Sequence, residues 1–159
     1  MIEKISTLIS KDEINKRIAD IAAEIEKDYA GKDIHFICIL KGGVAFMTDL
    51  ARAIHKNVYM HFMDVSSYGN STESSGNIKI LMDLDESIEG KYVLIVEDII
   101  DSGRTLSILK DVLLARKPAS LKICTLLDKP EMCIRDRHRI YLFITKNGLL
   151  RTMLIFKVR

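Results

Sequence analysis

The stretch VLIVEDIIDSGRTL, residues 93–106, decides the fold and the place of the functional site. Four apolar residues lead into Glu97 and Asp98, and a third acid, Asp101, comes just before a Ser-Gly-Arg-Thr turn. The apolar run predicts a buried strand, and the turn predicts the start of a helix. Because ligands of open α/β sheets bind beyond the carboxyl ends of the strands, we expect the three carboxylates at a ligand site.

Predicted strands and helices alternate on both sides of this stretch. Short apolar runs predict strands at residues 34–40, 58–65, 78–82, 92–96 and 121–127. Helical spacing of apolar residues predicts helices at residues 10–31, 44–54 and 105–115, and a capping box at Ser10 and Glu13 opens the first of them. The sequence therefore predicts an α/β fold with a mostly parallel central sheet covered by helices on both faces.

A polar segment separates the second and third predicted strands. Residues 66–77, SSYGNSTESSGN, contain two glycines and five serines. Such a composition is typical of a mobile loop, or of the connection of a hairpin between the strands at 58–65 and 78–82.

The composition indicates one globular domain outside the membrane. The chain has 159 residues, of which 48% are hydrophobic and 29% charged. No apolar run reaches the roughly 18 residues that a membrane span needs. Two of the three cysteines, Cys38 and Cys124, lie in apolar runs and are expected to be reduced core residues, and no Cys/His set has zinc-ligand spacing. We therefore expect a cytoplasmic protein.

The turn after residue 100 has the composition of an anion site. Gly103 allows a tight bend, and the hydroxyl groups of Ser102 and Thr105 join the free amides of the first helical turn. Acids beside a phosphate cradle favour a sugar phosphate as the ligand, although simple helix capping explains the same residues. The chain has neither the GxxxxGK[ST] run of P-loop nucleotide-binding proteins nor the GxGxxG run of dinucleotide-binding proteins.

The segment EDIIDSGRTL, residues 97–106, resembles the phosphoribosyl-pyrophosphate signature of the type I phosphoribosyltransferases. Its form is most similar to the hypoxanthine (hypoxanthine-guanine) phosphoribosyltransferases. Other motifs follow in the order of that family. They are Leu40-Lys41-Gly42-Gly43 after the first core strand, Ser67-Tyr68 at the start of the polar segment, and LLDKPE at residues 126–131.

The resemblance implies a fold, an activity and partners. The fold is the type I phosphoribosyltransferase fold, with a mobile loop or hairpin over the active site. The activity is that of a glycosyltransferase of purine salvage, in which a purine base displaces pyrophosphate from phosphoribosyl pyrophosphate with Mg²⁺ as cofactor. Hypoxanthine would give IMP and guanine would give GMP. The family also implies a homodimer or homotetramer, without a membrane or nucleic-acid partner.

The resemblance assigns roles to residues of this sequence. Glu97 and Asp98 would hold the ribose hydroxyls, directly or through Mg²⁺, and Asp101 would be the general acid/base facing the purine N7. The mobile loop would begin with Ser67 and Tyr68. The 5′-phosphate loop would comprise Asp101, Ser102, Gly103, Arg104 and Thr105. The pyrophosphate loop would comprise Leu40, Lys41, Gly42 and Gly43, often with a cis Leu-Lys bond.

Two alternatives stay open from the sequence. One is a regulator of the same fold that binds nucleotides or RNA without catalysis. The other is a phosphoribosyltransferase for another base, such as xanthine or adenine. EDIIDSG, residues 97–103, disfavours the regulator, whose usual signature differs.

The resemblance covers about residues 1–131 and then stops. The family should continue with a lysine and an aromatic residue that contact the base, and with a further aspartate and arginine, which residues 132–159 do not show. This tail has seven Lys/Arg and one Asp, a net charge of +6 against −4 for residues 1–131. Its first residues, MCIRDR, match a translated transposase-end sequencing adapter. We therefore expect an incomplete phosphoribosyltransferase domain at 1–131, followed by a tail of different, artefactual origin, and we assign no base-binding residue.

Overall fold

The computed structural model describes residues 9–67, 78–100 and 104–128, together with the backbone of residues 156–157. The helices are α1 (Lys11–Asp28), α2 (Val44–Ala53) and α3 (Arg104–Leu114). The strands are β1 (Ile34–Ile39), β2 (Val58–Ser67), β3 (Ile78–Met82), β4 (Tyr92–Ile100), β5 (Ser120–Asp128) and the two-residue β6 (Phe156–Lys157). Within these ranges no helix is both long and apolar enough to span a membrane.

The strands form one mixed sheet in the order β3-β2-β1-β4-β5-β6. The β2–β3 pair is antiparallel, and the other neighbouring strands are parallel. This confirms the predicted α/β fold with a mostly parallel sheet. The antiparallel pairing agrees with the predicted hairpin, whose connecting residues 68–77 lie outside the described part of the chain.

Both faces of the sheet are covered because its central strands alternate between two cores. All six residues of β1 are buried. Phe36 and Cys38 belong to a cluster with α1 and α2, whereas Ile37 and Ile39 belong to a cluster with α3. Alternate residues of a strand point to opposite faces, so a strand buried on both sides reads as the continuous apolar run seen in the sequence.

The first helix begins as its capping box predicts. The Ser10 hydroxyl accepts a hydrogen bond from the Glu13 amide at 3.3 Å, and the Glu13 carboxylate accepts one from the Ser10 amide at 2.8 Å. These bonds satisfy two amides that a helix start leaves without a partner. The helix ends at Asp28, and Gly31, in a left-handed conformation at φ 70°, follows the turn.

The strand that carries the acids is longer than the sequence predicted. Its pairing with β1 stops at Cys38 and Val96, but its pairing with β5 continues to Ile100. The sequence predicted an end at residue 96 because the apolar run stops there. The strand in fact ends where its pairing with β5 ends. Glu97 and Asp98 therefore lie within β4, just beyond the last residues that pair with β1.

Two buried histidines join β1 to β2 at a distance from the acids. The Nδ1 atom of His35 and the Nε2 atom of His61 are 3.0 Å apart, so one of these nitrogens donates to the other. The His35 ring stacks on Tyr59, and His61 Nδ1 lies 3.7 Å from a carboxylate oxygen of Asp85. Burial lowers the pKa of His35, and the neighbouring Lys91 and His61 lower it further. His35 therefore resists protonation in the folded chain.

We expect this pair to make folding sensitive to acid. Unfolded His35 takes up a proton near pH 6.5, whereas the folded chain resists it, so the unfolded state binds more protons as the pH falls. The free energy of unfolding should therefore be highest above pH about 6.5 and should decrease below it. His35→Gln, which can still hydrogen-bond His61, should flatten the dependence of the melting temperature on pH between 5 and 7.

His55→Gln is the matched control, because the His55 side chain is 87% exposed. It should keep the acid dependence of the unchanged chain. Equal acid slopes for the unchanged chain and His35→Gln would contradict this role of the pair.

Candidate active site

The loop after β1 is anchored to β2 and α2. The Leu40 amide donates to the carbonyl oxygen of Met63 in β2 at 2.8 Å, and the Met47 amide of α2 donates to the carbonyl oxygen of Gly43 at 2.9 Å. The bond between Leu40 and Lys41 is cis, as the resemblance implied. The pyrophosphate loop predicted at residues 40–43 is therefore a fixed turn between a buried strand and a helix.

The second glycine of this loop packs directly on the central strands. A Cβ atom placed on Gly43 would lie 2.9 Å from the carbonyl oxygen of Val96, 3.2 Å from Sγ of Cys38 and 3.3 Å from the carbonyl oxygen of Ile39. Carbon atoms almost never come that close to oxygen, and the two carbonyl oxygens are backbone atoms of strands. Only glycine allows the loop to lie this near the sheet.

The first glycine of the loop meets the acidic segment. A Cβ atom placed on Gly42 would lie 2.8 and 2.9 Å from the two carboxylate oxygens of Asp98. The structure thus brings together two motifs that are far apart in the sequence. Backbone amides of the loop and the carboxylate of Asp98 line the same end of the sheet.

The two neighbouring acids of β4 differ in their surroundings. Burial, together with the hydrogen bond and negative charge of Asp98, raises the pKa of Glu97 to about 8. One carboxylate oxygen of Asp98 accepts a hydrogen bond from the Ile99 amide at 2.8 Å. Without a bound cation, the pair therefore favours holding a proton, and a cation near it would relieve the repulsion between the two groups.

These two acids are the described residues that fit a magnesium ion. Within the described ranges no cluster of three or more His, Cys, Asp or Glu side chains could hold a metal by itself. Magnesium takes oxygen ligands and is commonly held by one or two carboxylates together with water and substrate phosphates. Glu97 and Asp98, half-buried at the end of the sheet beside the loop, match that ligand set.

The phosphate cradle is described in part. Helix α3 begins at Arg104, so the amides of Thr105 and Leu106 belong to its first turn. Asp101, Ser102 and Gly103 lie outside the described residues, and their roles stay predictions.

The predicted lid residues are likewise only partly described. Ser67 is the last residue of β2 and pairs with Ile78 of β3, whereas Tyr68 lies outside the described ranges. The sequence placed Ser67 at the start of the loop, but the structure places its backbone in the hairpin. The lid role of both residues stays a prediction.

Sequence reasoning missed the groups that support the loop. They are the carbonyl oxygens of Met63 and Val96 and the thiol of Cys38. Every residue has a backbone carbonyl, so the sequence does not show which carbonyls support the loop. A cysteine in an apolar run is typical of an ordinary core residue. The adjacent glycines were the one available signal that the backbone approaches something closely.

Comparison with known proteins identifies the family. The profile of a family described as "phosphoribosyl transferase domain" matches residues 7–148. This chain belongs to that family. The match agrees with the resemblance of residues 97–106 and runs past residue 131, where the sequence resemblance was expected to end. The domain boundary at that residue stays a prediction.

The curated relatives differ in length. The hypoxanthine-guanine phosphoribosyltransferase of Bacillus subtilis (strain 168) is 53% identical over 129 residues, which are 81% of this chain and 71% of that protein. The bifunctional protein TilS/HprT of Listeria innocua is 53% identical over 123 residues, or 77% of this chain. This chain spans only 19% of the length of that bifunctional relative.

Solved structures share the fold. A hypoxanthine-guanine phosphoribosyltransferase from Bacillus anthracis has a TM-score of 0.80 and 42% identity, and the match covers 99% of this chain and 86% of that one. A hypoxanthine phosphoribosyltransferase from Staphylococcus aureus has a TM-score of 0.75 and 45% identity, with 79% and 68% covered. These values confirm the type I phosphoribosyltransferase fold.

We expect alanine at the two loop glycines to have different effects. Gly43→Ala forces a Cβ against backbone oxygens, so overpacking should cost about 1–3 kcal/mol of the free energy of unfolding. The three atoms nearest to a Cβ on Gly42 all belong to the Asp98 side chain, which can move, so Gly42→Ala should cost less than Gly43→Ala, about 0.5 kcal/mol. Its affinity for magnesium pyrophosphate should nevertheless fall about tenfold, because the loop and the carboxylate are displaced from each other.

Chemical denaturation and titration calorimetry measure the two effects. Gly31→Ala is not a neutral control, because Gly31 has a positive φ. Ala45→Ser, at an exposed position near the start of α2, is the control for a change close to the loop. Equal losses of stability for the two alanine variants, with unchanged pyrophosphate affinity, would contradict the arrangement.

Proposed function

We propose that this chain carries the phosphoribosyl-transfer site of a hypoxanthine, or hypoxanthine-guanine, phosphoribosyltransferase of purine salvage. A purine nitrogen forms a bond to C1 of the sugar of phosphoribosyl pyrophosphate, the C1–O bond breaks, and pyrophosphate leaves with the electron pair. The proton on the purine nitrogen is lost to a base. The products are IMP from hypoxanthine, or GMP from guanine, and pyrophosphate.

The observation that carries this proposal is the approach of Gly42 to Asp98. A Cβ on Gly42 would lie within 3.0 Å of the Asp98 carboxyl group, so a ligand bound to the loop amides is also within reach of the acids. Phosphoribosyl pyrophosphate has two such parts side by side, a diphosphate and a pair of ribose hydroxyls. The names of the curated relatives support the same assignment.

Different groups of residues bind different parts of the ligand. In the loop Leu40, Lys41, Gly42 and Gly43, the amides of residues 41–43 bind the diphosphate, since the Leu40 amide donates to Met63. The first turn of α3, with Arg104 and Thr105, binds the 5′-phosphate. An aligned helix start favours negative charge there. Glu97 and Asp98 accept hydrogen bonds from the ribose hydroxyls. The transition state has positive charge on the sugar and growing negative charge on the leaving group, so both sets stabilise it.

Magnesium is the cofactor that this donor set fits. Glu97 and Asp98 would hold it directly or through water and ribose oxygens. When bound, it neutralises charge on the diphosphate and so makes it a better leaving group.

Other roles in the proposal rest on the resemblance alone. Asp101 is the general acid/base at the purine N7, and Ser102 and Gly103 complete the 5′-phosphate loop. Ser67 and Tyr68 begin a lid that excludes water. No residue is assigned to the base, and we propose that the tail after residue 131 is not native family sequence.

The cysteines support the proposed cytoplasmic location. Cys38 and Cys124 are both free and buried. Reduced buried thiols are typical of proteins from a reducing compartment, which supports a cytoplasmic location.

Activity can be tested together with the origin of the tail. The assay follows magnesium-dependent conversion of hypoxanthine and phosphoribosyl pyrophosphate into IMP by chromatography. It compares this chain with a version in which residues 132–159 are replaced by the corresponding segment of the Bacillus subtilis relative. We expect IMP from the replaced version, and Glu97→Gln with Asp98→Asn in that version should lower kcat/KM about 100-fold or more.

A matched pair of changes controls for folding. Asp111→Asn and Glu89→Gln remove exposed carboxylates that have no role in the proposed site and should leave kcat/KM within about twofold, as for ordinary surface changes. If the replaced version binds phosphoribosyl pyrophosphate but forms no nucleotide, the regulator becomes the better reading. If this chain is active as it stands, the tail supplies a base site, and the proposed boundary at residue 131 is wrong.

We also propose that the chain forms a homodimer or homotetramer. Met60, Phe62 and Leu81 on the neighbouring strands β2 and β3 are 51%, 37% and 55% exposed. Clustered exposed apolar side chains commonly mark a protein–protein contact.

Light scattering should give a dimer or tetramer mass, and Leu81→Glu should lower that mass. Leu114→Glu, on α3, should not change the mass, and a monomeric unchanged chain would contradict the proposal.

A further inference from the structure

A single sulfur atom lies beneath the pyrophosphate loop. Cys38 is fully buried in β1, two residues before the loop begins. Its Sγ donates a hydrogen bond to the carbonyl oxygen of Ile39 at 3.7 Å, which fixes the direction of the thiol. A Cβ on Gly43 would lie only 3.2 Å from this sulfur, so the thiol is in contact with the backbone of the loop.

The loop has little freedom to move away from that contact. The carbonyl oxygen of Gly43 accepts from the Met47 amide, and Met47 and Leu50 are 1% and 0% exposed in the core beneath α2. On the other side the carbonyl oxygen of Val96 limits the approach of Gly43 to β4. The height of Gly43 above the sheet is therefore set by two backbone carbonyls and one side-chain atom.

The position of Gly43 determines that of its neighbour. Gly42 is bonded to it and lies against the carboxylate of Asp98. A shift of Gly43 toward the sheet would carry Gly42 with it and change the spacing between the loop amides and Asp98. The sulfur is the one side-chain atom among the three nearest neighbours of a Gly43 Cβ.

We infer that Cys38 is a positioning residue for the pyrophosphate loop, which acts by holding Gly43, and through it Gly42, at the height where the loop amides and Asp98 face one diphosphate. This inference rests on the proposed function, since it takes the loop as the diphosphate site. Cys38 touches no substrate. Its contribution is the volume and place of Sγ beneath the glycine.

The chain offers a matched control for this role. Cys124 is also a free, buried cysteine, 1% exposed, and it belongs to the same core cluster as Cys38. It lies on β5 and is not among the nearest neighbours of Gly42 or Gly43. Cys38→Ala and Cys124→Ala thus remove the same atom from the same core, and only the first removes it from beneath the loop.

The test measures the affinity for magnesium pyrophosphate by titration calorimetry, beside the melting temperature. Cys38→Ala should weaken binding at least about fivefold, because the loop amides that bind the ligand would be displaced. Cys124→Ala should leave the affinity within about twofold, because its cavity is remote from the loop. Both variants should lose a similar amount of stability, because each leaves a small cavity. Cys38→Ser keeps an atom at the γ position and should restore most of the affinity.

Kinetics separate positioning from general damage. In a version that turns over, Cys38→Ala should raise KM for phosphoribosyl pyrophosphate and leave KM for hypoxanthine unchanged. Equal affinities for the two alanine variants would overturn the inference, and so would an unchanged chain that fails to bind pyrophosphate. If the version with the replaced tail binds pyrophosphate but makes no nucleotide, the proposed function fails, and the ratio of the two affinities still decides the role of Cys38.

Discussion

The contact between Gly43 and the carbonyl oxygen of Val96 is the constraint on which the site depends. At this contact the loop after β1 packs against β4, at the level where β1 ends. The adjacency of β1 and β4 in the sheet makes the contact possible, and the absence of a side chain at Gly43 allows it. Without it the loop amides and the acids of β4 would be two separate features.

The electrostatic character of the site follows from that arrangement. Burial of Glu97, together with its hydrogen bond to Asp98 and the repulsion between the two acids, raises the pKa of Glu97 to about 8. Negative charge that the fold holds in place stabilises positive charge that develops on a bound ligand. In the proposed function, the amides of the loop and of α3 would bind phosphate groups on either side of these acids. The proposed donors for anions and the proposed acceptors for hydroxyls and a cation would then lie in separate parts of the site.

The sequence predicted the architecture because local patterns decided it. Continuous apolar runs identified the central strands, and Ser10 with Glu13 identified the start of α1. The resemblance of residues 97–106 identified the family. The length of β4 could not be read locally, because hydrogen bonds from β5 extend it through Glu97 and Asp98. The His35–His61 pair was equally hidden, since it depends on the register between β1 and β2.

The supports of the loop were also beyond the sequence, for a different reason. Met63 and Val96 act through main-chain oxygens, which every residue has. Cys38 acts through its position under a glycine that is a neighbour in space. Such groups become visible only when the strands are assembled. The motif residues, in contrast, have side chains whose chemistry can be recognised from the sequence alone.

A structure of the chain with magnesium and phosphoribosyl pyrophosphate tests the central claim most directly. The account predicts that the diphosphate accepts hydrogen bonds from amides of residues 41–43, while the ribose hydroxyls lie within reach of Glu97 and Asp98. A ligand bound elsewhere, or a diphosphate that touches the loop while the ribose points away from both acids, would contradict it.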